Sequence, residues 1–146
     1  MPLPKLFTPI QLGGVTLPNR IVVSPMCQYS ADDGCMNDWH LIHLGHLAYS
    51  GAGLLMVEAT HVTREGRITH GCTGLYNDHN EAAMARVIEV CKRLRNAPIG
   101  IQIGHAGQGL LAGALGRARG AHRGAVAVAD GRAFADPHGG GLACSA

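Results

Sequence analysis

Three short apolar runs separated by helical patterns restrict this chain more than any other feature. They are Arg20-Ile-Val-Val-Ser24, Leu54-Leu-Met-Val-Glu58 and Ile99-Gly-Ile-Gln-Ile103. Continuous apolar runs of this length are typical of strands buried on both faces of a parallel sheet. Pro25 ends the first run. Asn37 suits the cap of a helix reaching about Ser50, with Leu41, Leu44 and Ala48 on one face and Gly51-Ala-Gly53 ending it. Asp78, followed by Glu81, comes close to a capping box. Met84, Val87, Ile88, Cys91 and Leu94 then share a face, until Asn96 and Pro98 stop the helix.

Strand, helix, strand, helix, strand predicts βαβ units of the α/β class around a parallel sheet. Right-handed crossovers put both helices on the same side. Ahead of them, Ile10-Gln-Leu12 and Val15-Thr-Leu17 flank Gly13-Gly14 as a small hairpin. Continued, the pattern closes into a TIM (β/α)8 barrel, which takes ~250 residues. With 146 residues, the expectation is an incomplete barrel: a leading hairpin and about three βα units. Such a piece leaves one sheet face and both edges bare.

The formal charge of +2 points to neither nucleic acid nor an anionic membrane as partner. No apolar run reaches membrane-spanning length and no signal peptide is recognisable, so the expected location is cytoplasmic. Five cysteines without a C-x-x-C pair argue against a disulfide framework or a structural zinc site and favour reduced thiols. His40, His43 and His46 recur at spacing three, but successive threes drift round a helix and no carboxylate joins them, so no metal site is expected.

In a parallel barrel the chemistry lies at the C-terminal ends of the strands. Here each end exchanges apolar residues for polar or small ones: Ser24-Pro-Met-Cys-Gln-Tyr29, Glu58-Ala-Thr60 and Gln102-Ile-Gly-His-Ala-Gly107. Taken singly, Cys27 also suits a buried structural thiol, Met26 core filler and Tyr29 an amphipathic rim. Gln102 is harder to dismiss, because a buried amide needs partners. Glu58 reads as structural, His105 as support for its loop, and Arg64 and Arg67 as solvated loop charges.

Leu6-Phe-Thr-Pro-Ile10, Asn19-Arg-Ile-Val-Val-Ser-Pro-Met-Cys-Gln-Tyr29, Asn37-Asp-Trp-His40, Gly51-Ala-Gly-Leu54, Val57-Glu-Ala-Thr60, Gly66-Arg-Ile-Thr69 and Ile101-Gln-Ile-Gly-His-Ala-Gly107 resemble the Old Yellow Enzyme family. The Cys27 and Tyr29 pairing is similar to its bacterial YqjM-like and xenobiotic-reductase branch. The resemblance implies FMN as cofactor and NAD(P)H as reductant. It also implies reduction of the C=C bond in α,β-unsaturated carbonyls or similar electron-poor alkenes. By that resemblance Ser24, Pro25, Met26 and Cys27 line the flavin, Ala59 lies against its ring, Gln102 bonds its pyrimidine end, and Tyr29 reaches the substrate. Family members are often homo-oligomers. Alternatives are a flavin NADH oxidase, a dienoyl-CoA-reductase-like relative, or a non-catalytic barrel fragment serving as a binding module.

The resemblance covers about Lys5 to Gly107, and residues 1–107 are read as the N-terminal part of an FMN-binding barrel. In residues 108–146, 20 of 39 residues are Gly or Ala, and no Lys, Glu, Ile, Thr, Asn, Tyr or Trp occurs. The family continues with a basic pair and a Pro-Trp-Glu-Gly stretch. A neighbouring reading frame of Gln108-Gly-Leu-Leu-Ala-Gly-Ala-Leu-Gly-Arg117 can encode Lys-Gly-Ser-Trp-Gln-Ala-Pro-Trp-Glu-Gly. Val128-Ala-Asp-Gly-Arg-Ala-Phe134 behaves likewise in the same frame. The expectation is a frameshifted, disordered tail.

Overall fold

The computed structural model describes residues 2–95 and 97–107, with the backbone of a strand at 123–129. A 3-10 turn (Lys5–Phe7) leads into the hairpin β1 (Ile10–Leu12) and β2 (Val15–Leu17). Then come β3 (Val22–Val23), α1 (Asp38–Ala48), β4 (Leu54–His61), α2 (Asp78–Leu94), β5 (Ile99–His105) and β6 (Arg123–Ala129). The hairpin forms around Gly13, whose φ of +55° suits glycine. The main sheet has the order β3-β4-β5-β6, with the first two pairings parallel and β5-β6 antiparallel.

The three expected strands are present, with changed limits. β3 shrinks to two residues and Val22 stays 46% exposed, so the buried-strand reading fails there. Among the described residues only β4 pairs with it, which leaves β3 an edge. β4 and β5 instead run further than expected, to His61 and His105.

The first helix cap is as expected. The Asn37 side chain accepts from the Trp39 N–H at 3.1 Å, and the Asn37 N–H donates to His40 Nδ1 at 3.2 Å. A histidine thus fills the place usually held by Glu or Gln in a capping box. Asn37 Oδ1 also lies 3.0 Å from His40 Nδ1. The second cap is Asn77 rather than Asp78: its backbone is extended and its Oδ1 accepts from the Asn80 N–H at 2.9 Å. Asp78 and Glu81 then sit in the first turn, where the helix dipole favours negative charge.

Both helices cover one face of the sheet. Leu44 and Ala48 of α1 and Met84, Val87 and Cys91 of α2 pack on Leu55, Val57 and Ile99. The other face is not bare as expected: Leu17 of the hairpin packs against Leu54 and Met56. β5 is not an edge as expected, since β6 pairs along the whole of it. Cys27, Cys72 and Cys91 are free thiols. Cys35 is disulfide-bonded, contrary to the expectation of reduced thiols. No helix among the described residues is long and apolar enough to cross a membrane.

Candidate active site at the strand ends

Residues directly across a sheet share a face, so register decides what reaches the mouth. Val57 pairs with Ile101, and both belong to the helix-facing core. Strict alternation would turn Ala59 the same way. The register shifts between Val57 and Ala59, however, so that Ala59 pairs with Gln102. Gln102 follows Ile101 and faces away from the helices. The extra residue in this bulge is Glu58, and the bulge swings Ala59 to the open face. Ala59 is the one residue of β4 that is not buried.

The end of β3 arrives beside it. Cys27 is half-buried, and its thiol lies near the Ala59 backbone and the Tyr29 side chain. Burial above all pushes its thiol pKa up, aided by Cys72 and Glu58, while the polar groups of Ala59 and Tyr29 oppose the rise. The Tyr29 phenol is also pushed up, first by Cys27 and then by burial. Ser24, Met26 and Tyr29 are exposed, while Pro25 and Gln102 are half-buried. Ala59 therefore has Gln102 as its partner across the sheet and Cys27, next to Tyr29, as a neighbour from the segment after β3. Ser24, Pro25 and Met26 precede Cys27 on that segment.

Tyr29 is held in an uncommon backbone shape, with φ at +54°. The loop after β4 braces it. The Ala31 N–H donates to Gly71 O at 2.9 Å, and a Cβ on Gly71 would lie 2.3 Å from Tyr29 O. Only glycine fits so close to another backbone.

Arg67 overturns its reading as a solvated charge. It is 4% exposed and donates to Asp33 at 3.2 Å, to Arg64 O at 3.0 Å and to His70 O at 3.2 Å. Arg64 also pairs with Asp33 but remains exposed. The Tyr76 hydroxyl and the Asn80 amide donate to Asp33 O at 2.6 and 3.0 Å. This cluster ties the β3–α1 loop to the β4–α2 loop. Sequence reasoning missed it; the Asp33-Gly34 turn was its one local signal.

Glu58 is structural as expected, accepting from the Gln28 N–H at 2.8 Å. His105 supports its loop through Nδ1, which accepts from the Gly107 N–H at 3.0 Å, while Gly66 packs on its ring. His40 turns inward to Glu58 and His46 outward, so the three histidines do not share one face. No cluster among the described residues could hold a metal ion.

This arrangement can be compared with known proteins. Residues 5–134 match the family model described as NADH:flavin oxidoreductase / NADH oxidase. The chain belongs to that family. An NADH:flavin oxidoreductase of Gibberella zeae is 48% identical over 104 residues, which is 71% of this chain and 25% of the relative. An NADPH dehydrogenase of Bacillus subtilis is 42% identical over 106 residues, 71% of this chain and 31% of the relative. Among solved structures, morphinone reductase superposes with a TM-score of 0.65 at 33% identity, over 71% of this chain and 27% of its own. The Old Yellow Enzyme of Pichia sp. AKU4542 does so at 0.62 and 26%, over 68% and 26%. The chain spans about a quarter to a third of these family members, as the α/β part of a TIM barrel.

Proposed function

We propose that residues 1–107 form one wall of the flavin site in an FMN-dependent ene-reductase. NAD(P)H would be its reductant and an α,β-unsaturated carbonyl or similar alkene its substrate. One observation carries this reading: the β4 bulge brings the smallest side chain of the mouth, Ala59, beside Gln102 on the open face, with Cys27 against it. A flat aromatic ring needs a small-residue floor and a few placed polar groups. The donor set fits. Gln102 offers a donor and an acceptor, Cys27 a thiol, and Ser24, Pro25 and Met26 backbone groups. FMN, when bound, supplies hydride transfer. Ala59 sets the approach distance, Gln102 orients the ring's polar end, Cys27 borders its reactive edge and tunes its electronics, and Tyr29 holds the incoming substrate.

The low net charge supports a small-molecule enzyme of the cytoplasm rather than a partner of nucleic acid or membrane. Homo-oligomers are in keeping with the family. Because the chain carries a single wall, its own FMN affinity should be weaker than micromolar and its turnover negligible. The test is an FMN titration followed by backbone amide shifts. Shifts confined to Cys27, Ala59, Gln102 and their neighbours support the reading. Shifts elsewhere, or tight binding, count against it.

We propose further that residues 108–146 are read in a shifted frame. The support is the break in composition after Gly107 and the two family-like peptides in the adjacent frame. The nucleotide sequence around the Gly107 codon tests it. If the adjacent frame does not encode those peptides, the match as far as residue 134 belongs to a divergent continuation.

A further inference from the structure

Glu58 is 4% exposed and sits in the β4 bulge. One carboxylate oxygen accepts from the Gln28 N–H at 2.8 Å. The other lies 3.3 Å from Nε2 of His40, which is fully buried. That pair is within ion-pair reach but off hydrogen-bond alignment, since Nε2 has no aligned partner. His40 Nδ1 lies 3.2 Å from the Asn37 backbone N and 3.0 Å from Asn37 Oδ1, so in either tautomer the ring meets Asn37 through Nδ1 and the carboxylate through Nε2. A carboxylate buried among so few donors is a poor stabiliser compared with an apolar side chain of the same shape. Its partners suggest another use. Gln28 lies between Cys27, whose thiol neighbours the Ala59 backbone, and Tyr29, whose side chain neighbours that thiol.

We propose that Glu58 is a positioning residue: it anchors the Gln28 backbone so that Cys27 and Tyr29 face Ala59, and it places a negative charge beside the Cys27 thiol. The bulge is what makes this possible. Without the extra residue Glu58 would follow the strand's alternation and could not lie between α1 and the end of β3 while Ala59 lies at the open face. The charge acts in company. Cys72 and Tyr29 also face Cys27. His40, His43 and His61 face Glu58. That a flavin lies beside Cys27 rests on the proposed function; the anchoring does not.

The test uses the whole 146-residue chain without flavin, in a Cys72→Ser background that removes the neighbouring thiol. Cys27 alkylation by iodoacetamide is followed against pH by peptide mass spectrometry, and Gln28 amide exchange alongside. Glu58→Gln keeps an acceptor oxygen and loses the charge. Its Gln28 amide should stay protected, while Cys27 alkylation at pH 8 rises about threefold as the thiolate forms at lower pH. Glu58→Ala should speed Gln28 exchange about tenfold. A Glu58→Gln profile identical to that of the parent would overturn the electrostatic role. Unchanged Gln28 exchange in Glu58→Ala would overturn the anchor. Should Glu58→Ala fail to fold, Glu58→Gln still decides. Loss of FMN shifts at Ala59 would instead strike the proposed function and leave this result standing.

Discussion

The two halves of β4 are built by different rules. From Leu54 to Val57 every side chain is buried apolar surface, with Leu55 and Val57 under the helices and Leu54 and Met56 under the hairpin. From Glu58 to His61 the strand bulges and buries polar groups instead, each held by a specific partner. The Thr60 hydroxyl donates to Glu58 O at 3.0 Å, the Thr73 hydroxyl to Ala59 O at 3.2 Å, and His61 Nδ1 lies 3.2 Å from Thr73 O. The first half is stabilised by area removed from water, which tolerates exchange among apolar residues. The second depends on geometry, where one misplaced group leaves another without a partner. The mouth of the site hangs on the second half.

The comparison is broken most directly at Leu55, which is fully buried in the core. Leu55→Ala should lower stability by about 2–5 kcal/mol in urea unfolding. Cys27 alkylation measured well below the unfolding transition should not move. A loss under about 1 kcal/mol would mean that this core is not what holds the strand.

Gly71→Ala comes next. The new Cβ would sit 2.3 Å from Tyr29 O, so the left-handed turn at Tyr29 must shift. The expected loss is about 1–3 kcal/mol, with a changed rate of Cys27 alkylation as well. A stability loss without any change at Cys27 would separate the Gly71 brace from the mouth.

Acid should then lower stability through the buried histidines. Burial holds the His61 imidazole below its ordinary value, outweighing its bond to Thr73. The unfolded chain therefore takes up this proton first as pH falls, and stability drops between the ordinary imidazole value and the lowered one. His43 is lowered by burial in the same direction. Urea midpoints should be lower at pH 5.5 than at pH 7.5, and His61→Gln should flatten that slope. An equal slope in the variant removes His61 from the account.

The smallest expected effect is at Tyr29, whose side chain is 55% exposed. Tyr29→Phe should leave stability within about 0.5 kcal/mol. Its hydroxyl helps to lower the Cys27 pKa, so its loss should slow alkylation at pH 8. That change is opposite in sign to the one expected for Glu58→Gln, and a rise would show that the two groups do not act on the thiol independently.

Much of the architecture was legible in residue pattern alone. The βαβ order, the hairpin around Gly13-Gly14 and the Asn37 cap follow from periodicity, turn chemistry and capping, which act over a few residues. The aliphatic stripe of α2 is equally local. Two local errors were of degree: Asn77 took the cap from its neighbour Asp78, and β3 shortened because a strand's length is fixed by its partners.

What the sequence could not decide is where side chains from distant segments meet. Nothing local announces the bulge at Glu58, because a bulge is a property of two strands in register rather than of one. Alternation along β4 would send Ala59 to the helices; pairing with β5 sends it to Gln102. Arg67 looked solvated because its charged partner, Asp33, lies 34 residues away and reaches it only when two loops close together, while Arg64 O and His70 O come from its own loop. Charge burial depends on partners supplied by the fold, so sequence could name Cys27, Ala59 and Gln102 while only tertiary structure could bring Gln102 and Cys27 to Ala59.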